Sequence, residues 1–260
     1  MASLDLSAYF NRTGFEGAAK PGLASLRALH FAHATSIPFE NLAIQMGEGV
    51  SLHLDAIQDK LVRRRRGGYC FEQNSLFLAV LREIGFDVEP FEARVRGGEQ
   101  IRPRTHMLLR VRLPEGDHLA DVGFGGEGLL HPVLTDGEAH PQFGRAYRVA
   151  EQEGLRVLES RQLVNWTDLY AFEPIPRLPV DFEMGNWYTS THPDSVFVKT
   201  LTAQRVTPEG RLVLRNLSFT TVKGDAAEER VLERGEVPRV LRDSFGLDIP
   251  DGTRFRAFAS

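Results

Sequence analysis

The chain has 260 residues, 42% of them hydrophobic and 25% charged, a balance that fits one large or two to three small globular units and excludes a disordered chain. Its 31 basic and 35 acidic residues leave a net charge of −4, which gives no electrostatic footprint for nucleic acid. No apolar run approaches the roughly 18–20 residues of a membrane span, and the start Met1-Ala2-Ser3-Leu4-Asp5 has neither the basic nor the apolar region of a secretion signal.

The first third reads as helical. Over residues 23–33, Leu26, Leu29 and Ala32 or His33 recur on one face, and Pro38 ends the run because the residue before proline avoids the α region. Residues 55–65 form a second helix with Ile57, Leu61 and Val62 inward. Over 72–84, Phe77, Val80, Leu81 and Ile84 make a third stripe, and Gly85 supplies the C-cap. Cys70 therefore lies at or just before a helix N-terminus.

The period changes at Phe86. Phe91, Ala93 and Val95 alternate with charged residues, as do Met107, Leu109, Val111 and Leu113 with their neighbours, which predicts strands. Pro114-Glu115-Gly116-Asp117 reads as a turn, and 118–122 as the returning strand. Further strands are expected over 146–149, 155–158 and 161–166. Pro174, Pro176 and Pro179 punctuate a linker. Beyond it, 196–206 and 211–221 read as strands joined at Pro208-Glu209-Gly210, and 226–245 as one or two short helices.

Cys70 is the only cysteine. It forms no intramolecular disulfide and completes no cysteine-rich metal site, so it is a buried filler or a nucleophile. A lone thiol without a secretion signal fits a reducing, cytoplasmic setting. The glycines of Arg66-Gly67-Gly68-Tyr69-Cys70 and the helix that follows favour the nucleophile, because a helix N-terminus and a histidinium both stabilise a thiolate. His106 and Asp121 are the candidate base and orienting carboxylate, and Asp121 sits among apolar residues where it needs a partner. A plain hairpin with Leu113 opposite His118 leaves His106 and Asp121 four positions apart, roughly 13 Å, too far for a hydrogen bond.

Gly123-Phe124-Gly125-Gly126-Glu127-Gly128 fits a dinucleotide pattern, but no helix start follows it, so the reading is rejected. His30 and His33 share a helix face without a third ligand, a weak metal case. Of the four arginines 63–66, most read as a solvated helix end. Arg66 differs, and Glu40 is its candidate partner.

Taken together, Leu26-Arg27-Ala28-Leu29-His30, Ile37-Pro38-Phe39-Glu40-Asn41-Leu42, Arg66 to Asn74, His106-Met107-Leu108-Leu109, Ala120-Asp121-Val122-Gly123-Phe124-Gly125 and Glu229-Arg230-Val231-Leu232 resemble the arylamine N-acetyltransferase family over nearly the whole chain. The resemblance implies an α+β fold: a helical bundle over 1–85 carrying the nucleophile, a β-barrel over 86–180 carrying His and Asp, and an α/β lid over 181–260. The catalytic core is similar to those of transglutaminases and papain-like cysteine proteases. It implies a Cys70–His106–Asp121 triad, a structural Glu40–Arg66 pair, Phe39 and Phe124 lining the acceptor pocket, and Thr105 and Phe197 meeting coenzyme A. It implies no metal and no tightly bound cofactor. Acetyl-CoA would be the co-substrate, and an arylamine, arylhydroxylamine or hydrazine the acceptor, in a ping-pong acetyl transfer of the kind used on xenobiotics. The alternatives are an amide synthase of the same fold closing a macrolactam and a Cys-His-Asp hydrolase. The sequence assigns no oligomeric state.

Overall fold

The structure is a computed structural model describing residues 3–97, 101–224, 226–250 and 252–259; Met1 and Ala2 of the start read for a signal lie outside the described residues. Helix α1 (Leu6–Thr13) is capped by Asp5, whose side chain accepts from the Ala8 N–H at 2.9 Å, and Gly14 closes it in the left-handed region. Helix α2 (Leu23–Ser36) buries Leu26, Leu29, His30 and His33, then gives way to a short strand β1 (Phe39–Glu40) and a single turn α3 (Leu42–Gln45). The segment expected as a helix over 55–65 is α4 (Leu54–Ile57) widening into a π-helix at Gln58–Arg63. Helix α5 (Cys70–Ile84) begins on Cys70 itself, and Gly85 (φ 98°) ends it.

Strands β2 (Asp87–Val95), β3 (His106–Leu113), β4 (Gly116–Ala120), β5 (Val133–Leu134), β6 (His140–Gln142), β7 (Arg145–Gln152), β8 (Leu155–Arg161) and β9 (Trp166–Phe172) form one antiparallel sheet in the order β5-β4-β3-β2-β9-β8-β7-β6. Its far end curls back until β5 meets β7, so the sheet nearly closes into a barrel. Phe91, Leu108, Leu119, Tyr147, Leu158 and Tyr170 fill the barrel. On the other face of β3, Met107, Leu109 and Val111 pack with Phe77, Val80 and Leu81 of α5. Both faces of β3 are therefore covered over its first half, which is why Met107, Leu108 and Leu109 are apolar in succession without alternation.

Beyond the barrel come α6 (Pro179–Thr191), the turn α7 (Val196–Lys199), strands β10 (Thr202–Thr207), β11 (Gly210–Arg215), β12 (Ser218–Lys223) and β13 (Ala226–Val231), and α8 (Val237–Phe245). The second sheet runs β1-β10-β11-β12-β13, so β1 ties the helical region to the C-terminal strands. Leu42, Leu201, Leu214, Val240, Leu241 and Phe245 form its core. No helix among the described residues is long and apolar enough to cross a membrane.

Several expectations need correction. The hairpin pairs Leu113 with Gly116 and Arg110 with Leu119, not Leu113 with His118. Its loop is only Pro114-Glu115, made possible by Gly116 at φ 128°, where a side chain would be strained. The expected strand over 161–166 is a connection, because Arg161 ends one strand and Trp166 starts the next. The linker prolines are followed by α6, with Pro179 at its first position, where a missing N–H costs nothing. Val196-Phe197-Val198 reads as a strand by composition but forms a helical turn, since Ser195 caps it through the Phe197 N–H. Residues 226–231 carry the helix formers Ala, Glu and Arg, yet pair with β12 as an exposed edge strand; tertiary pairing overrides propensity there.

Candidate active site

Two glycines prepare the position of Cys70, by allowing contact rather than by baring the thiol. A Cβ on Gly67 would stand 2.2 Å from the Pro38 carbonyl oxygen, so only glycine lets this segment lie against 38–40. The Glu40 N–H donates to the Gly68 carbonyl at 3.0 Å, and the Gly68 N–H to the Pro38 carbonyl at 3.3 Å. The Arg66 guanidinium meets the buried Glu40 carboxylate at 3.2 Å. Burial would raise Glu40, but Lys60 and Arg66 hold it below its ordinary value. Arg63 and Arg64 pair with Asp59 on the surface. Gln73 donates to the carbonyls of Ile37, Pro38 and Gly68, so this turn is fixed from both sides. The chain then enters α5 with Cys70 as its first residue, buried, at the positive end of a 15-residue helix dipole.

The register correction solves the geometric problem. Continuing the β3–β4 pairing places Asp121 level with Leu108, two residues from His106 instead of four, and diagonal neighbours at that spacing are within reach of side chains. The His106 Nε2 to Asp121 Oδ2 distance is 2.7 Å, with both groups buried. The imidazole also interacts with the Cys70 side chain, whose sulfur lies 3.5 Å from the Thr105 carbonyl oxygen. Burial alone would lower the His106 pKa; the charge and hydrogen bond of Asp121, with Cys70 adding to them, push it up to about 10. Conversely, burial would raise Asp121, and His106, Asn74 and the Gly123 N–H hold it below the ordinary carboxylate range.

Four donors converge on the Asp121 carboxylate. Asn74 Nδ2 (2.9 Å) and the Gly123 N–H (3.0 Å) reach Oδ1, while the Tyr170 hydroxyl (2.8 Å) joins His106 at Oδ2. Burial, then the charge of Asp121, drive the Tyr170 phenol well above its ordinary value, so it remains a donor. Asn74 also donates to the Met107 carbonyl and accepts from the Val122 N–H, tying β3 and the segment after β4 to α5. A Cβ on Gly123 would lie 2.8 Å from the Cys70 Cα, so this backbone rests directly on the helix. Sequence reasoning assigned Asn74 and Tyr170 no role. Asn74 had a signal, one helical turn after Cys70 on the same face; Tyr170 had none, because its strand was placed too early.

The remaining candidates gather around this centre. The Phe124 ring stands edge-on to His106 with centroids 5.1 Å apart, and Tyr170 lies against the imidazole at 4.6 Å. Phe39 packs on Phe197 at 5.9 Å, and Phe197 on Tyr69 at 5.8 Å. The Phe197 carbonyl accepts from Asn41 and Gln45. Thr105 also lines a cleft of about 430 Å³ with Pro103, Arg104, Arg177, Met184 and Tyr188. The glycine-rich segment 123–128 leads to β5, not a helix. His30 and His33 each have both ring nitrogens engaged by protein groups, and no cluster suited to a metal occurs among the described residues.

A sulfur, an imidazole and a carboxylate thus stand in that order between a helix N-terminus and a barrel wall, an arrangement with the parts that nucleophilic catalysis by a thiol requires. The family profile described as N-acetyltransferase matches residues 22–254. Arylamine N-acetyltransferase of Mycolicibacterium smegmatis is 39% identical over 258 residues, covering 96% of this chain and 94% of that protein. Among solved structures, the M. smegmatis arylamine N-acetyltransferase superposes with a TM-score of 0.91 at 38% identity, over 97% of this chain and 96% of that one. The Mycobacterium marinum arylamine N-acetyltransferase in complex with CoA gives 0.89 at 36%, over 94% and 93%. This chain belongs to the arylamine N-acetyltransferase family and is an acyltransferase.

Proposed function

We propose that the chain moves an acetyl group from acetyl-CoA to an arylamine, arylhydroxylamine or hydrazine through a thioester on Cys70. The observation that carries this reading is the buried Cys70–His106–Asp121 chain, with its 2.7 Å imidazole–carboxylate contact. His106 is a cation at neutral pH, the state that favours a thiolate beside it. The Cys70 sulfur attacks the thioester carbonyl carbon, the bond from that carbon to the CoA sulfur breaks, and the departing thiolate takes the His106 proton. Neutral His106 then accepts a proton from the attacking amine as the C–S bond to Cys70 breaks, restoring the ion pair. N–H groups of the first turn of α5 lack intrahelical acceptors and suit the oxyanion. A bound CoA in a relative of this similarity supports acetyl-CoA as donor. Thr105 and Phe197 are the residues assigned to it, and Phe39 and Phe124 the walls for the acceptor ring.

The test is intact mass after mixing the chain with acetyl-CoA and no amine. A gain of about 42 Da, absent in Cys70→Ala and discharged by an added arylamine, is expected. Absence of the adduct while iodoacetamide still alkylates Cys70 would refute acetyl-CoA as donor.

A further inference from the structure

We propose that His30 is a positioning residue for Asp121: it fastens both ends of segment 121–130 to α2, keeping the carboxylate on His106 and the Phe124 ring against the imidazole. The proposal rests on the reading of Cys70, His106 and Asp121 given above.

His30 is completely buried on α2, and its two ring nitrogens contact residues nine apart in the chain. Nε2 lies 3.1 Å from the Asp121 backbone nitrogen, and Nδ1 lies 3.1 Å from the Leu130 carbonyl oxygen. The chemistry of those partners dictates the tautomer. A backbone N–H only donates, so Nε2 must be bare; a carbonyl only accepts, so Nδ1 must carry the proton. His30 is thus a neutral bridge. Its ring meets Phe77 edge-on at 5.7 Å, which fixes its plane. Burial lowers its pKa to about 4, with the charge of Asp121 opposing and His131 adding to the lowering, so the neutral form persists through the physiological range.

The segment it spans needs such a bridge. Asp121 follows the last residue of β4, so its N–H has no ladder partner, and residues 121–130 contain four glycines and no regular structure. Other ties each hold one place: Asn74 takes the Val122 N–H, Gln142 the Leu130 N–H, Arg211 and Tyr147 donate to the Gly126 and Gly128 carbonyls, and Ser160 and Arg145 hold the Glu127 carboxylate. His30 alone among these side chains contacts both ends. Without it the Asp121 N–H would be a buried donor lacking an acceptor, and the backbone would move to find one.

The test uses the full chain with His30→Leu, His30→Met and His30→Gln. Glutamine can offer an oxygen to Asp121 and an N–H to Leu130, whereas the apolar variants fill space only. Two quantities are read: the titration of the His106 ring by ¹⁵N-histidine NMR, and kcat/KM for acetyl transfer. Both apolar variants are expected to titrate His106 about one pH unit or more lower, because Asp121 has drifted from it, and to lose about tenfold or more in kcat/KM. His30→Gln should stay within about threefold on the same physical grounds. Folded apolar variants with the unaltered His106 titration would overturn the proposal. The unaltered chain supplies a check free of any folding loss: ¹⁵N shifts must show His30 protonated on Nδ1 and bare on Nε2, and the opposite tautomer overturns the proposal by itself. Failure of the underlying reading is distinguishable, since His106 would then titrate at an ordinary value in the unaltered chain.

Discussion

Asp121→Asn keeps the shape of the carboxylate and removes its charge. In the unaltered chain the His106 imidazole holds its proton to about pH 10, against burial, chiefly because Asp121 is 2.7 Å away. The gap between about 10 and the ordinary 6.5 corresponds to a net stabilisation of the protonated ring on the order of 5 kcal/mol, left after Asp121 and Cys70 have offset burial. The amide also changes the hydrogen bonding. Asn74 and the Gly123 N–H both donate to Oδ1, so the amide oxygen of the variant is held there and its NH₂ faces His106 Nε2. The imidazole must then accept at Nε2 and carry its proton on the nitrogen facing Cys70, where it blocks proton removal. The same tautomer error in a serine triad costs about 10⁴ in rate. Acetylation of Cys70, followed by rapid-quench mass spectrometry, should therefore slow on the order of 10³–10⁴-fold, with His106 titrating at or below about 6.5 by NMR. Retention of the rate within about tenfold, in a variant shown to be folded, would refute the assignment of Asp121 as the group that holds the imidazolium.

Other substitutions probe the scaffold. Gly67→Ala drives a methyl into the Pro38 carbonyl at 2.2 Å, so a loss of about 3 kcal/mol or more is expected in urea denaturation; a change under about 1 kcal/mol would mean the segment yields. Arg66→Met leaves the buried Glu40 with Lys60 as its remaining cationic neighbour and should cost about 3–5 kcal/mol by the same assay, with Glu40→Gln in the Arg66→Met background recovering part of it. Acid stability should follow the buried histidines of α2. His30 and His33 titrate at about 4 and about 3 when folded, through burial, against 6.5 when unfolded. The unfolded chain therefore binds more protons below about pH 6.5, and stability falls by about 1.4 kcal/mol per pH unit for each as pH drops towards about 4. His106 has the opposite sign: its contribution is complete below 6.5 and lost as pH rises through about 10. His33→Gln should flatten the acid limb; an unchanged slope would show that His33 charges readily in the folded state. Phe124→Ala should raise KM for an arylamine while Cys70 still acetylates, and an unchanged KM would move the acceptor elsewhere.

Helices with one apolar stripe were legible because their period survives any packing partner: Leu26, Leu29 and His33, or Phe77, Val80 and Leu81, face inward as their spacing requires. The helix after Cys70 and its end at Gly85 were legible from the stripe over 72–84, and the structure starts that helix two residues earlier, on Cys70 itself. Edge strand β13 was not, because a strand exposed on both faces has no alternation and its Ala and Glu residues favour helix. Nor was α7, whose Val-Phe-Val reads as extended until Ser195, Asn41 and Gln45 capture its backbone. At the site, Cys70, His106 and Asp121 were identifiable by residue type and setting, whereas the contact between the last two depended on a hairpin loop of two residues instead of four.

By itself the sequence determined which chemistry was available: one thiol, at a helix start, with a histidine and an aspartate in apolar surroundings further along. Tertiary structure decided whether those groups meet. Reach between strands depends on register, and a shift of two residues moves a side chain by about 7 Å, the difference between a hydrogen bond and none. It also recruited partners from far along the chain, Asn74 and Tyr170 to the carboxylate and His30 to its backbone. Tyr170 and His30 leave no local pattern that links them to Asp121, because a buried donor requires an acceptor in space and places no condition on where that acceptor lies in the sequence.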